Sequence, residues 1–453
     1  MKSLRCYGAA LLFAVGGVIL APSVSEARPR PGPLNEENFG EVHFPISCQT
    51  AVQASFNRAV AILHSFWYER ARSEFEKVAA RDPACAMAYW GIAMTYWHPH
   101  WDPPGANELE KGWAAVEKAE SLPAGTPRER AFIDAIAAYY RDGRQHNPRA
   151  RALAFQQAMQ KNYRTYPGDV EAACFYGLAL IATALTDDQT YANQREAGRI
   201  LERVFREHPN HPGAAHYIIH SYDHAPLAAQ ALPAARRYGQ IAPAASHAVH
   251  MPSHIYTQLG MWEDSIRANL ASIAVARRAQ AGGHPGTDDE LHASRYLTYA
   301  YLQRGEQRAA ADVLERVGAL GMASHSGAAG MLHGSTITFA VQSALERHDW
   351  AEAAAIAPTE GMSTGSLMLV HWARALGSAR GGDLAGARKA TDDLQAVYDR
   401  EFREDRERME WHAGEIELQE ARAWLAQAEG QSDRAVALMK DIAEKEKAGH
   451  VVL

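Results

Sequence analysis

Residues 66–83, FWYERARSEFEKVAARDP, decide the fold of this chain. Ala71, Phe75 and the closing Pro83 are spaced as in a helix that packs through a small residue and ends before a proline. The same spacing returns in residues 195–209, REAGRILERVFREHP. Later copies of the turn and second helix are LGMWEDSI, RGEQRAAADVL, RHDWAEAA, GGDLAGA and EGQSDRAVAL. No alternating strand pattern persists, so the repeats predict an all-α chain of stacked helix-turn-helix units.

These stretches resemble tetratricopeptide repeats (TPRs), and the resemblance extends over roughly residues 50–445. It implies an α-solenoid in which small residues, such as Ala71 and Ala197, let neighbouring helices approach closely. It also implies that the first helix of each repeat lines a concave groove. Arrays of this family mostly act as binding scaffolds, so we expect a peptide, a protein or a small ligand in the groove.

Three further stretches resemble a group of secreted bacterial TPR-like proteins without a well-defined activity. They are AMAYWGIAM at 86–94, HPGAAHYIIHSYD at 211–223 and HAVHMPSHIYTQLGMW at 247–262. This resemblance implies the fold and draws attention to the histidines, but it implies no reaction.

The first residues have the pattern of an export signal. Lys2 and Arg5 precede an apolar run over residues 7–21, and Ser25 and Ala27 are small residues placed as at a cleavage site. An N-terminal membrane anchor is the alternative interpretation, but the run is short for a membrane span and no second long apolar run follows. We therefore expect a periplasmic or secreted protein without a membrane span after the signal peptide is removed.

Four segments follow from these patterns: a signal peptide at 1–27, a Pro-rich leader and N-terminal cap at 28–49, the TPR-like array at 50–445 and a tail at 446–453. The net charge of −7 provides no basic field for nucleic acid, which we exclude as a partner. An oxidising compartment permits disulfides. Cys48, before the first helix, and Cys85, at the start of the third, are candidates for one, which would leave Cys174 as a thiol.

Histidine is the unusual residue of this chain, with 21 copies against 12 phenylalanines. When the two central repeats are aligned, His216 and His250 occupy one repeat position, and His220 and His254 occupy another four residues later. Residues four apart lie on one face of a helix, and these positions point into the groove of TPR proteins. Neutral imidazoles bind Zn, Cu, Ni or Fe, so the four predict a metal site between neighbouring repeats. His247 extends the second row.

Three other residues near this site are candidates: Asp223 for adjusting the site from nearby, and Cys174 and His292 as extra ligands. Asp223 follows the first row, Cys174 occupies a similar position one repeat earlier, and His292 does so one repeat later. Pro252 lies inside the helix that carries the second row, where it should kink the helix and change the direction of the histidines before it. A hydrogen-bonded structural ladder of histidines and peptide recognition or chemistry in the groove are the alternatives to a metal.

Two more residues are candidate ligand contacts. Trp90 and Met94 share the groove-facing phase of their helix, so they are candidates for the floor of a cofactor or ligand site; packing between helices is the alternative.

No complete catalytic set is visible in the sequence. Residues 361–365, GMSTG, match the G-x-S-x-G pattern of serine hydrolases but lie between helices without the strand that this motif requires. The sequence therefore leaves open whether the chain is an enzyme. The leading hypothesis is an exported TPR-like scaffold whose groove histidines bind a transition metal; a metal-dependent enzyme or a metal-storage protein is the alternative.

Overall fold

The computed structural model describes residues 38–99, 103–123, 125–185, 188–323, 329–402 and 409–448. The predicted signal peptide, at 1–27, lies outside the described residues. The described residues contain 21 α-helices and one short 3-10 helix, and no β-strand occurs among them. The predicted all-α class is confirmed.

In chain order the helices are the 3-10 helix Thr50–Val52, α1 (Gln53–His64), α2 (Tyr68–Arg81), α3 (Ala86–Met94), α4 (Ala106–Ser121), α5 (Pro127–Tyr140), α6 (Pro148–Thr165), α7 (Val170–Ala182), α8 (Ala192–Glu207), α9 (Pro212–Tyr222), α10 (Ala228–Ile241), α11 (Ser246–His250), α12 (Pro252–Gln258), α13 (Trp262–Ala281), α14 (Thr287–Gln303), α15 (Gln307–Ala323), α16 (Ala329–Glu346), α17 (Trp350–Ala355), α18 (Thr364–Gly381), α19 (Leu384–Phe402), α20 (Met409–Ala428) and α21 (Ser432–Ala448).

The helices pack as hairpins. α1 packs against α2, α7 against α8 and α20 against α21, and the same pairing holds along the array. The first helix of one hairpin also contacts the first helix of the next, as α7 does with α9 and α14 with α16. A solenoid of TPR-like repeats has this pattern, because each unit buries its apolar face only against its neighbours. The predicted TPR-like fold is confirmed.

Small residues allow the close packing within these hairpins. Ala71 and Ala197 are both fully buried, with 0% of their surface exposed. Each lies on the helix that the repeat pattern identified as the second of its unit. Both predicted packing positions are therefore in the core.

An extended segment precedes the first helix and inserts its apolar side chains into the core. Phe39 and Phe44 are buried in this segment, and Phe44 is fully enclosed. The ring centroid of Phe44 lies 4.9 Å from that of Phe132 and 5.3 Å from that of Trp90. The Arg128 guanidinium also packs over the Phe44 ring, at 4.4 Å from the ring centroid. The chain before α1 is therefore an integral part of the first hairpins.

The same segment reaches the central hairpins through its backbone. The Glu41 amide donates to the Asn210 carbonyl (3.0 Å), and the Ala244 amide donates to the Asn38 carbonyl (3.1 Å). Gly40 has a φ of +93°, and a Cβ there would lie 2.9 Å from Pro212. Glycine is required here because the backbone is left-handed and in close contact with α9.

The candidate disulfide, which the sequence left open, is present. Cys48 and Cys85 are bonded, and they join the segment before the first helix to the start of α3. Cys174 is a buried thiol outside this bond. The two cysteines are 37 residues apart in sequence. Closing a loop of this length restricts the unfolded chain and so stabilises the N-terminal part of the array.

Pro252 divides the first helix of the sixth hairpin, as predicted. α11 ends at His250 and α12 begins at Pro252, and both short helices pack against α13. Proline fits the first turn of a helix, where its missing N–H removes no bond. None of the described helices combines the length and apolar character that crossing a membrane requires.

Candidate metal centre

Six histidines from three consecutive hairpins meet inside the array, in two groups of three. We call His216, His220 and His247 the first histidine group, and His250, His254 and His292 the second histidine group. Within each group, ligand atoms from the three side chains all lie within 4.8 Å of one another. Five of the six rings are buried, and His292 is the least buried.

The first histidine group is centred on His216. The Nε2 atom of His216 lies 3.0 Å from Nε2 of His220, one turn later on α9, and 3.1 Å from Nε2 of His247 on α11. Metal–nitrogen bonds of 2.0–2.1 Å at tetrahedral angles place two ligand nitrogens roughly 3.3 Å apart. The two separations from His216 are therefore close to those that a shared ion would require.

The backbone of α1 fixes the orientation of the His216 ring. Nδ1 of His216 donates to the carbonyl oxygen of His64 at 2.6 Å. A carbonyl only accepts, so Nδ1 carries the proton and Nε2 of the neutral ring presents its lone pair to the group. Gly213 makes this approach possible, because a Cβ there would lie 2.5 Å from the His64 ring.

The second histidine group is centred on the close contact of His250 and His254, whose Nε2 atoms are 3.0 Å apart. His292, on α14, completes it: its ring centroid lies 4.5 Å from that of His250 and 5.7 Å from that of His254. The Tyr296 ring stacks on His254 at 4.4 Å.

Neighbouring polar groups orient both central rings of the second group. Nδ1 of His254 lies 2.7 Å from the Asp223 carboxylate, and Nδ1 of His250 lies 2.6 Å from Oδ1 of Asn269. Asn269 donates from its amide nitrogen to the Ser265 carbonyl, which identifies Oδ1 as the acceptor. Nδ1 of each ring is thus the donor. Partners of this kind orient histidine ligands in metalloproteins and fix their tautomer.

These hydrogen bonds determine what can lie between the Nε2 atoms of His250 and His254. If Nδ1 holds the proton in both rings, the neutral forms of His250 and His254 direct two lone pairs at each other across 3.0 Å. Two acceptors at that distance repel. A cation is needed between them, and it is either a proton shared by the pair or a metal ion bound by both.

Burial favours the neutral form of two rings in this cluster, those of His250 and His247. Burial, reinforced by the charges of His292 and His254, holds the pKa of His250 well below its usual range. Burial and the His216 charge do the same to the pKa of His247. Burial alone would raise the pKa of Asp223, but the charge and hydrogen bond of His254 outweigh it and lower that pKa. The buried pair of Asp223 and His254 therefore contains an ionised carboxylate.

Aromatic side chains enclose the first histidine group. The Phe66 ring centroid lies 4.4 Å from that of His216 and 5.8 Å from that of His247. Phe66 has a φ of 56°, which is unusual for a residue with a large side chain and is retained only where the surroundings impose it. Tyr238 covers another side of His216 at 5.1 Å. An apolar wall of this kind limits the access of water to an ion.

The structure brings together all five predicted metal ligands, but in a different arrangement. The predicted four-nitrogen site pairs His216 and His220 with His250 and His254, whereas the closest nitrogen contacts keep these pairs apart. The break at Pro252 does not mark the division between the groups, because His247 and His250 share α11 but belong to different groups, whereas His250 and His254 lie on either side of the break and share one. His247 turns to the first group, and His250 and His254 remain in the second.

Two of the three other candidate residues, Asp223 and His292, contact the histidine groups, and Cys174 does not. Asp223 holds His254, and His292 joins the second histidine group. Cys174 lies apart from both groups, with its sulfur 3.8 Å from Nδ1 of His211. Burial raises the pKa of the Cys174 thiol well above its usual range, which disfavours the thiolate that a metal would need.

Sequence reasoning missed a buried cluster next to the first histidine group. The Glu171 carboxylate accepts from Nε2 of His64 at 2.8 Å and from Nε2 of His211 at 2.9 Å. The Tyr217 hydroxyl lies 2.9 Å from Nδ1 of His64. These residues come from α1, α7 and the start of α9, so no short spacing joins them. His64 links this cluster to His216 through its carbonyl.

Trp90 and Met94 do not form the floor of an open ligand site. Only 1% of Trp90 and 2% of Met94 is exposed. The indole of Trp90 instead packs among aromatic rings, including those of Phe44 and Phe175. The space that the sequence assigned to a ligand is filled by the chain's own N-terminal segment, through Phe44. The structure places both residues in the core between helices, which is the packing that the sequence left as the alternative.

A separate apolar hollow lies between α13, α14 and α15. It has a volume of about 400 Å³, and its lining includes Leu270, Ile273 and Val317. The side chains of Arg277 and Glu290 stand at its edge as an ion pair. Ligand sites in proteins commonly have this size and composition.

Comparison with known proteins gives limited similarity. No family model and no curated protein matches the chain. Among solved structures, a Rap protein complexed with competence and sporulation factor is 11% identical over 88% of this chain and 98% of that one, with a TM-score of 0.42. The human IFIT1 dimer with PPP-AAAA is 12% identical over 87% and 83%, with a TM-score of 0.38. The Cut9–Hcn1 hetero-tetramer is 11% identical over 90% and 79%, with a TM-score of 0.34.

Proposed function

We propose that this chain is an exported TPR-like scaffold that binds a transition metal through its buried histidines. The observation that carries the proposal is the contact of His250 with His254. Both Nδ1 atoms are engaged as donors, so the two Nε2 atoms, 3.0 Å apart, need a shared proton or a metal ion between them, and His292 offers a third ligand to a metal ion. The first histidine group supports the same conclusion, because Nε2 of His216 faces two further nitrogens at 3.0 and 3.1 Å.

The donor set indicates which metals fit. Both groups supply imidazole nitrogens, which bind Zn, Cu, Ni and Fe in preference to Mg or Ca. Among the residues that the structure describes, each group provides three nitrogens, which leaves a coordination position for water or a substrate. An open position suits a metal-dependent enzyme, whereas closure by a fourth ligand suits storage. Both belong to the proposal as alternatives.

Export is supported by the disulfide. Cys48 and Cys85 are bonded, and disulfides persist mainly in the periplasm and outside the cell. We propose a periplasmic or secreted location on this basis, together with the signal-like pattern at residues 1–27. Fractionation of cells that express the full chain would test the location directly.

The scaffold role includes a peptide, protein or small-ligand partner. Solenoids present long surfaces to such partners. The N-terminal segment already fills the space next to Trp90, so a partner would have to bind elsewhere on the array. The hollow lined by Leu270 and Val317 is a candidate that the described residues offer.

Metal content tests the proposal. The mature chain, purified without a histidine tag, is expected to retain about one to two equivalents of a transition metal by elemental analysis. In the double variant His216→Asn/His250→Asn the content should fall to background. Asparagine keeps a donor close to the position of Nδ1, so the hydrogen bonds to the His64 carbonyl and to Asn269 have a substitute while both Nε2 ligands are lost.

A matched control separates specific binding from the general effect of removing histidines. His146 and His208 are exposed, and replacing both by alanine should leave the metal content unchanged. Circular dichroism should show the same helicity in all three proteins. A wild-type chain that holds no metal after incubation with Zn, Cu, Ni and Fe salts would contradict metal binding and leave a proton-linked histidine ladder.

A further inference from the structure

The two histidine groups are not separated from each other. The ring centroids of His247 and His250, one from each group, are 6.2 Å apart, and those of His220 and His254 are 6.5 Å apart. Within the first histidine group, His220 and His247 are already 6.3 Å apart. These separations between the groups match the longest ring separation inside the first histidine group, so the six rings form one continuous cluster.

Chain connectivity reinforces this closeness. His247 and His250 lie three residues apart on the same short helix, α11, yet they belong to different groups. His220 and Asp223 are likewise three residues apart at the end of α9, and Asp223 holds His254 of the second histidine group. The helix α11 thus contributes a histidine to each group, and the end of α9 contributes His220 to the first group and the partner of His254 to the second.

Charge balance then indicates what else the cluster must hold. Imidazole side chains contribute no negative charge, and Asp223 is the one carboxylate in contact with a ring of either group, at 2.7 Å from His254, among the contacts of the described residues. Two divalent ions would bring more positive charge into this buried space than Asp223 balances. Uncompensated buried charge is costly. A water molecule between two ions readily releases a proton and becomes a hydroxide that compensates part of the excess.

We propose that the two histidine groups form one dinuclear metal centre, in which two divalent ions share a bridging hydroxide derived from water. This inference rests on the proposed function, since it requires that the histidines bind metal at all. It goes further by assigning two ions and a small exchangeable anion to one site. Metal pairs of this kind lie about 3.5–4 Å apart in enzymes that activate a bridging oxygen ligand.

Copper(II) loading tests the inference, because two bridged copper(II) ions couple their unpaired electrons. The metal-free full-length mature chain is titrated with copper(II) and measured by electron paramagnetic resonance. We expect about two equivalents bound per chain, with a signal that accounts for well under half of the copper. The single variants His216→Asn and His250→Asn should each bind about one equivalent, and all of it should be visible in the spectrum.

Azide tests the exchangeable anion. It is a small anion whose copper(II) complexes absorb near the visible range, and it should displace the hydroxide in the wild type with about one azide per metal pair. Each single variant should require a higher azide concentration for the same change in absorbance, because azide would bind to one ion instead of bridging two.

The outcomes separate the two proposals. Two equivalents whose spectrum is the sum of the two single-variant spectra would overturn the dinuclear centre and leave two independent metal sites. One equivalent in the wild type would also overturn it, while metal binding stands. No bound copper in any of the proteins would overturn both.

Discussion

Replacing Phe44 by alanine is expected to lower the free energy of unfolding of the N-terminal hairpins by about 3–5 kcal/mol. Phe44 is fully buried, and its ring lies within 5.4 Å, between centroids, of Phe56, Trp90 and Phe132. Alanine would leave a cavity between α1, α3 and α5 that cannot close without moving their backbones. Denaturant unfolding followed by both tryptophan fluorescence and circular dichroism measures the loss.

An exposed leucine provides the control for this prediction. Leu185 is 50% exposed, so Leu185→Ala should change the unfolding free energy by no more than about 0.5 kcal/mol. A Phe44→Ala variant as stable as the control would mean that the segment before α1 is not part of the core. In that case the site next to Trp90 would again be available to a ligand.

Replacing Glu171 by glutamine is expected to destabilise the protein by about 1.5–3 kcal/mol at neutral pH. The Glu171 carboxylate accepts from both His64 and His211 in a buried site, and a glutamine amide keeps an acceptor for only one of them. Urea unfolding of the two proteins at pH 7 gives the difference. The exposed Glu76→Gln variant is the matched control and should lie within about 0.5 kcal/mol of the wild type.

The pH dependence of this difference has a defined sign. Burial would raise the pKa of Glu171, but the charges and hydrogen bonds of His211 and His64 outweigh it and hold the pKa far below its usual range. The stabilisation is therefore fully present above about pH 4.3, the unfolded value of a glutamate, and is lost as the pH falls through the range below it. The difference in unfolding free energy between the wild type and Glu171→Gln should become smaller below about pH 4. A difference that is constant down to pH 3 would show that folding does not shift the pKa of Glu171, and a difference that widens would show that folding raises this pKa.

The repeat pattern predicted the fold because its signals are local. The spacing of Ala71, Phe75 and Pro83 identifies one helix, and the structure has α2 there with Ala71 and Phe75 buried. The positions of Cys48 and Cys85 before two neighbouring helices indicated the disulfide, and Pro252 indicated the break between α11 and α12. Each of these inferences concerns residues that lie close in sequence or in adjacent repeats.

The repeat pattern could not predict contacts between parts of the chain that are distant in sequence. The cluster of His64, Glu171 and His211 joins three hairpins, and nothing in the spacing relates its members. The position of Trp90 along its helix indicated which helix face it occupies. It did not indicate that Phe44, which lies 46 residues earlier in the sequence, packs against the Trp90 ring. The division of the histidines between two groups likewise depends on contacts among three hairpins, which the spacing within one hairpin does not reveal.

Anomalous diffraction from metal-loaded crystals is the most direct test of the histidine site. Data collected at the absorption edge of the bound metal should show a peak about 2.0–2.1 Å from the Nε2 atoms of both His250 and His254. A map without anomalous density at either histidine group, in which these two nitrogens remain 3.0 Å apart, would contradict metal binding. The cation between the rings would then be a proton.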